Sequence, residues 1–352
     1  MQALRWHGRN DLRLDETADL DEATSGHAIV EVAYCGICGT DLHEYLHGPN
    51  MIRMDAHPLT GAMPPVTLGH EMSGTVVMMT GSEAGIEPGV RVVVDACIRC
   101  GICRWCRRGE YHLCAKGGSL GLAADGGFAQ YVEVPLENLH PVPDGVPDDI
   151  AAMAEPLAVG LHAAKRGQVQ PGDNVLVLGA GPIGIAALLG AQMAGAAAVY
   201  VSEPLEARAE QALGFGATEV FDPAVVDTRR EVFVRTARIG PDVVIDATGR
   251  PELVDLAVRT TRRGGRVVIA GISDSELRLD LRQIVLYERS ICGSLGYNFD
   301  IPRVLDLMAT GRLDVRPLLS GVRPLSAGVE VFEELAADRG QYLKVLLTPK
   351  DG

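Results

Sequence analysis

The chain has 352 residues, enough for two domains with a substantial core, and 46 acidic against 32 basic side chains leave it a net charge of -14. That surplus excludes nucleic acid and anionic membrane as natural partners, since both select basic surfaces. Charged residues make up 22% of the chain and the mean hydropathy is +0.12, as in a soluble globular protein.

The opening MQALRWHGRNDLRL holds no apolar h-region, so no signal peptide is expected and the expected compartment is the cytoplasm. In that reducing setting clustered cysteines point to metal before disulfides. Residues 1–156 are rich in Gly, Pro, Cys and His, with short alternating stretches such as HAIVEVAYC and SGTVVMM. They predict an irregular β-rich domain with loops. Within it CGICGTDLHEY supplies Cys38, Thr40, Asp41 and His43, LGHEMSG supplies His70 and Glu71, and AEPLAVGLHAA supplies Glu155. One thiolate, one imidazole and one carboxylate, with a fourth position open, make a catalytic zinc site. Singly, Cys38 reads equally well as a small buried hydrophobe, His70 as a core histidine, and Glu155 as a helix-start carboxylate favoured by the dipole. Beside a dinucleotide fold, the three together point to metal.

The stretch CIRCGICRWCRRGEYHLC, from residue 97, holds five of the eight cysteines. Thiolates bind zinc tetrahedrally, and C-x2-C pairs place two sulfurs on one side of the ion. Cys97, Cys100, Cys103 and Cys106 form an unbroken x2 series. Cys100, Cys103, Cys106 and Cys114 have a longer last gap, which closes a lobe and brings in a sulfur from another direction. An iron–sulfur cluster is the chemical rival, but its C-x3-C-P ligand is missing. A fully thiolate zinc site has no open position, so this one holds structure.

From residue 157 to 296 the character changes. NVLVLGAG, AAVYVSE, DVVIDATG and GRVVIAG are continuous apolar runs separated by Ala-rich segments of helical length, the pattern of a doubly wound parallel sheet. Ile183 to Val201 could pass for a membrane span, yet it is mostly Ala and Gly without basic flanks, and a buried helix between strands fits better. Ahead of it Gly179, Gly181, Pro182, Ile183 and Gly184 form a G-x-G-x-x-G that follows a strand and opens a helix. The first glycine permits the turn, the second lets a pyrophosphate approach, and the third lets helix and strand pack closely. Glu203 ends the next strand, where a carboxylate binds the adenosine ribose hydroxyls and favours NAD over NADP. Arg208, one turn into the following helix, could cover the adenine or touch the ribose. The tail, 297–352, mixes a helix-like VLDLMATGRL with a strand-like YLKVLLTP.

Taken in order, CGICGTDLHEYLHGP, HPLTGAMPPVTLGHE, the cysteine lobe, AEPLAVGLHA, and GAGPIG followed by SEP resemble the zinc-dependent medium-chain dehydrogenase/reductase family. The resemblance covers essentially the whole chain and is greatest to the polyol branch that acts on 2,3-butanediol. It implies an α/β protein: a GroES-like β-rich catalytic domain (1–156 and 297–352), a Rossmann coenzyme domain (157–296), and NAD in the cleft between them. It also implies two zinc ions per chain. Cys100, Cys103, Cys106 and Cys114 match the structural set, leaving Cys97 and Cys292 surplus. Cys38 and His70 match catalytic ligands, with Asp41 orienting the histidine. Glu155 stands where alcohol dehydrogenases place a second Cys, and Glu71 ligates in some members only, so the choice between these two stays open.

The same resemblance makes Thr40 the acceptor of the alcohol's proton, relayed through the ribose to His43; a route through Glu155 competes. The backbone around Gly271 and the stretch Ser294, Leu295, Gly296 would fix the nicotinamide carboxamide. The implied reaction is reversible oxidation of a secondary alcohol, a vicinal diol or acyloin such as 2,3-butanediol to acetoin, with hydride passing to NAD. Sorbitol-type polyol and L-threonine dehydrogenases are the alternatives. A non-catalytic NAD- and zinc-binding regulator is disfavoured because Cys38, Thr40, His70 and Glu155 are all present. Family members form homodimers or homotetramers.

Overall fold

The protein is described by a computed structural model covering residues 1–350 except 274, 339 and 341. It divides into two compact units, Met1–Glu155 joined by the chain from Ile301 onward, and Pro156–Asp300.

In the first unit the chain lays down β1 (Gln2–Gly8), β2 (Asp11–Glu16), β3 (His27–Gly36), β4 (Val66–Thr67), β5 (Glu71–Thr80), β6 (Arg91–Val94), β7 (Cys97–Ile98), β8 (Gly118–Ser119), β9 (Tyr131–Pro135) and β10 (Leu139–Pro141). β1 pairs with β2 and β4 in a small antiparallel sheet, and β7 pairs with β8 at the base of the cysteine lobe. The helix Gly39–His47 follows β3 directly; Asp41 closes its first turn by accepting the Cys38 N–H at 2.9 Å. That local cap fixes how Cys38 leaves the strand.

The second unit contains β11 (Asn174–Leu178), β12 (Ala198–Ser202), β13 (Glu219–Phe221), β14 (Val243–Asp246), β15 (Arg266–Ile269) and β16 (Ser290–Gly293), all parallel, in the order β13-β12-β11-β14-β15-β16. Val175, Leu176, Val177 and Leu178 are all buried, as expected of a strand with helices on both faces. The apolar stretch after the glycine motif becomes the helix Pro182–Met193, with every residue from Gly184 to Ala191 buried, and then β12. Among the described residues no helix is long and apolar enough to cross a membrane. This helix meets the helix Ala154–Arg166 backbone to backbone: a Cβ on Gly160 would collide with the main chain of Ala186.

The tail then returns to the first unit. β17 (Leu319–Pro324) lies parallel to β18 (Lys344–Thr348), and β18 runs antiparallel to β3, pairing Leu347 with Cys35. The larger sheet reads β10-β6-β5-β3-β18-β17, with β9 also on β3. Phe332, from the helix Gly328–Ala337, is fully buried and meets Phe128 edge-on at 6.0 Å and Tyr45 at 5.8 Å. The tail is thus part of the first unit's core. Replacing Phe332 by Ala is expected to destabilise that unit by about 3–5 kcal/mol, read as a lower urea midpoint for the transition that exposes Trp6.

Candidate active site

Three candidate donors from the first unit converge. The ligand atoms of Cys38, His70 and Glu71 lie within 4.8 Å of one another. Cys38 and Glu71 reach the spot from the end of β3 and the start of β5, which pair at Gly36 and Glu71. Gly36 is required there, since a Cβ would run into the Glu71 carboxylate. Asp41, with no exposed surface, lies 3.4 Å from His70 Nδ1; that is long for a hydrogen bond, so charge is the main link between them. Burial works against a charged His70, but Asp41 and Cys38 outweigh it and hold the ring well above the usual imidazole range. The pocket therefore draws positive charge, which suits a divalent cation bound by sulfur, nitrogen and oxygen.

Glu155 is buried beside this group but outside the converging set. Burial pushes its carboxyl up to about 8; His70 opposes that rise and Glu71 adds to it. Thr40 Oγ1 is 3.7 Å from Cys38 Sγ. His43 follows on the same helix face, its Nδ1 2.9 Å from Asn50 Nδ2 and its ring 5.2 Å from that of His47.

One residue of this pocket escaped sequence reasoning altogether. Lys344, from β18, is buried and donates to both oxygens of Glu71, at 2.7 and 2.6 Å, and to the Ile37 carbonyl at 3.1 Å. Burial disfavours its charge, but Glu71 and Cys38 more than compensate and raise its pKa. Glu71 is thus committed to an ion pair, whereas no hydrogen bond among the described residues engages Glu155. HPLTG also gains a local explanation. The Thr60 hydroxyl donates to the Ala123 carbonyl and its oxygen lies 3.2 Å from His57 Nδ1, closing the loop onto the segment after the lobe.

In the lobe the sulfurs of Cys100, Cys103, Cys106 and Cys114 come together. Cys103 is 3.5 Å from Cys106 and 3.9 Å from Cys114. Four sulfurs about 2.3 Å from a central zinc stand about 3.8 Å apart, so the spacing fits the ion. Backbone N–H groups of Cys106 and Ala115 lower the Cys103 thiol to about 6, whereas burial and the neighbouring thiols push Cys106 up to about 12. Only a cation lets all four ionise together. Cys97 lies outside the set. Its N–H donates to Asp95 Oδ1 at 2.8 Å, and burial first, then Asp95, holds its thiol well above the usual range.

In the second unit the glycines divide their roles as expected for a phosphate cradle. Gly179 has φ +91°, and a Cβ on Gly184 would strike the Gly179 carbonyl. A Cβ on Gly181 would meet only Arg208 Nη1, at 3.8 Å. Protein packing does not demand glycine there, and the space is open to an approaching ligand. Glu203 is buried and accepts the Ala180 N–H at 2.7 Å and the Leu205 N–H at 3.0 Å. Ser294 Oγ is buried without a hydrogen-bond partner, beside the half-exposed Leu295 and Gly296 at φ +52°. Gly271 is glycine for a packing reason, since a Cβ would press on Gly249.

Residues 24–144 match the model of the alcohol dehydrogenase GroES-like domain, and residues 182–310 match that of the zinc-binding dehydrogenases. This chain belongs to the zinc-binding medium-chain alcohol dehydrogenases. It is an oxidoreductase of the GroES-like plus Rossmann architecture. The (R,R)-butanediol dehydrogenase of Bacillus subtilis (strain 168) is 35% identical over 99% of this chain and 100% of its own. The sorbitol dehydrogenase of the same organism is 30% identical over 99% and 97%. The crystal structure of 2R,3R-butanediol dehydrogenase from Bacillus subtilis superposes with a TM-score of 0.92 at 34% identity, covering 99% of both chains.

The Glu71–Lys344 pair yields a stability prediction for this dehydrogenase. Lys344→Met leaves a buried carboxylate unpaired and is expected to cost about 3–5 kcal/mol, whereas adding Glu71→Gln restores most of it. Chemical denaturation of the single and double variants checks this.

Proposed function

We propose that the protein is an NAD-dependent, zinc-assisted secondary-alcohol dehydrogenase acting reversibly on vicinal diols and acyloins, with 2,3-butanediol and acetoin as the preferred pair. The observation that carries this reading is the convergence of Cys38, His70 and Glu71 within 4.8 Å beside the buried Glu155. The names of relatives similar over the whole chain supply the substrate class.

Cys38 and His70 hold the catalytic zinc. Glu155 is the carboxylate free to join them, because Lys344 occupies Glu71. The ion supplies Lewis acidity, which makes an alcohol hydroxyl easier to deprotonate; NAD supplies the hydride acceptor. Thr40 Oγ1, next to Cys38, takes the substrate proton by hydrogen bond. His43, one turn on, is the side chain suited to release it near neutral pH. Asp41 keeps His70 oriented through charge and holds Cys38 through its N–H. Gly181 leaves room for the pyrophosphate at the helix N-terminus, and the buried Glu203 carboxylate disfavours a 2'-phosphate. Cys100, Cys103, Cys106 and Cys114 hold a second zinc that keeps the lobe folded.

A sorbitol-type polyol dehydrogenase is the second reading, favoured by the similarity to the sorbitol enzyme. Initial rates with 2,3-butanediol stereoisomers, sorbitol and threonine, each with NAD and NADP, separate the two. The largest kcat/KM is expected for a butanediol with NAD; a larger value for sorbitol transfers the assignment to the polyols. Metal analysis is expected to find about two zinc per chain, one closed and one open site, and about one after Cys103→Ser, with turnover abolished by Cys38→Ser. Iron or labile sulfide in the wild-type protein would reject the zinc lobe.

A further inference from the structure

The helix Ala154–Arg166 carries Glu155 in its first turn. Because no hydrogen bond among the described residues engages that carboxylate, the helix itself decides where it stands. Seven residues on, two turns along the same face, His162 Nδ1 lies 3.3 Å from Asp300 Oδ2, and Lys165 Nζ donates to Asp300 Oδ1. Asp300 has no exposed surface, and His162 is buried with it. A carboxylate so enclosed stays ionised only while its partners remain in place, and they lower its pKa against the effect of burial.

The same carboxylate has a third partner. Asp300 Oδ2 accepts the Asn298 N–H at 3.1 Å. Asn298 lies two residues beyond Gly296, at the end of the stretch that carries the unpartnered Ser294 hydroxyl. One buried side chain therefore holds the helix that delivers Glu155 and the end of the stretch assigned above to the nicotinamide carboxamide.

We propose that Asp300 is a positioning residue: by gripping His162, Lys165 and the Asn298 amide, it sets the stance of Glu155 and links it to the cofactor stretch Ser294–Gly296. The proposal rests on the reading of Glu155 as the carboxylate on the metal side. A helix is stiff, so loosening its far end moves its first turn. Misplacement by about 1 Å is enough to cost about 100-fold in rate.

The test compares holoenzyme in four forms: wild type, Asp300→Asn, Glu155→Gln and the double variant. It measures kcat/KM for 2,3-butanediol, NADH binding by fluorescence titration, and visible absorption after cobalt(II) replaces zinc in the open site. Asp300→Asn is expected to lower kcat/KM by about 10- to 100-fold, to weaken NADH binding, and to shift the cobalt bands as Glu155→Gln does. In the Glu155→Gln background it is expected to change kcat/KM less than about threefold, because coupled residues are not additive. Should Asp300→Asn fail to fold, His162→Gln and Lys165→Met carry the same comparison. A full-sized Asp300→Asn effect in the Glu155→Gln background, or unshifted cobalt bands in Asp300→Asn, overturns the positioning role. A Glu155→Gln enzyme indistinguishable from wild type in both rate and cobalt spectrum overturns the metal-side reading of Glu155, and this proposal with it.

Discussion

Too many anions in too little water is the constraint from which the first unit's chemistry follows. Cys38, Asp41, Glu71 and Glu155 crowd one pocket, three of them almost wholly buried. Among the described residues, Lys344 and His70 oppose them there. In a low-dielectric interior such groups repel strongly and shed charge unless a cation joins them. The tendencies of His70 to hold a proton and of Glu155 to regain one are two symptoms of that imbalance. A divalent ion would remove both, as another would for the four crowded thiols of the lobe. The two donor sets differ in openness: the lobe would spend every donor on an ion, whereas the pocket would leave a place for substrate.

The second unit is shaped for the opposite problem, a place for an anion without a dedicated cation. Gly179 turns the chain, Gly184 lets the helix pack on that turn, and Gly181 leaves space that protein does not fill. The helix N-terminus then offers unpaired N–H groups and a favourable dipole. Glu203 serves the same turn from beneath by accepting the Ala180 N–H, so the residue read as a ribose ligand also braces the cradle.

Much of this was legible because the signals are local. The glycine motif, the x2 cysteine spacing and the apolar strand runs each report a contact between residues close in sequence. Spacing alone left Cys97 and Cys114 as rivals; the fold separates them, since Cys97 pairs with Ser119 in β7 and β8, donates its N–H to Asp95, and stays out of the cluster. The contacts that sequence could not reveal are long-range pairings. Glu71 and Lys344 are 273 positions apart, and Lys165 and Asp300 are 135 apart. Neither Lys344 nor Asp300 stands in a motif, and each looks like an ordinary surface charge until the fold buries it. HPLTG shows the reverse case, a stretch that stands out in sequence and that the structure explains as loop closure.

Because β18 slots between β3 and β17, the order of synthesis differs from the order in which the units can be finished. The contiguous Pro156–Asp300 unit has all its strands as soon as β16 leaves the ribosome. The unit translated first must wait, its central sheet lacking β18 and its Glu71 lacking a counter-charge. Throughout that interval Glu71 has neither Lys344 nor the strand that carries it. The pocket around Glu71 is therefore complete only once the last strand docks.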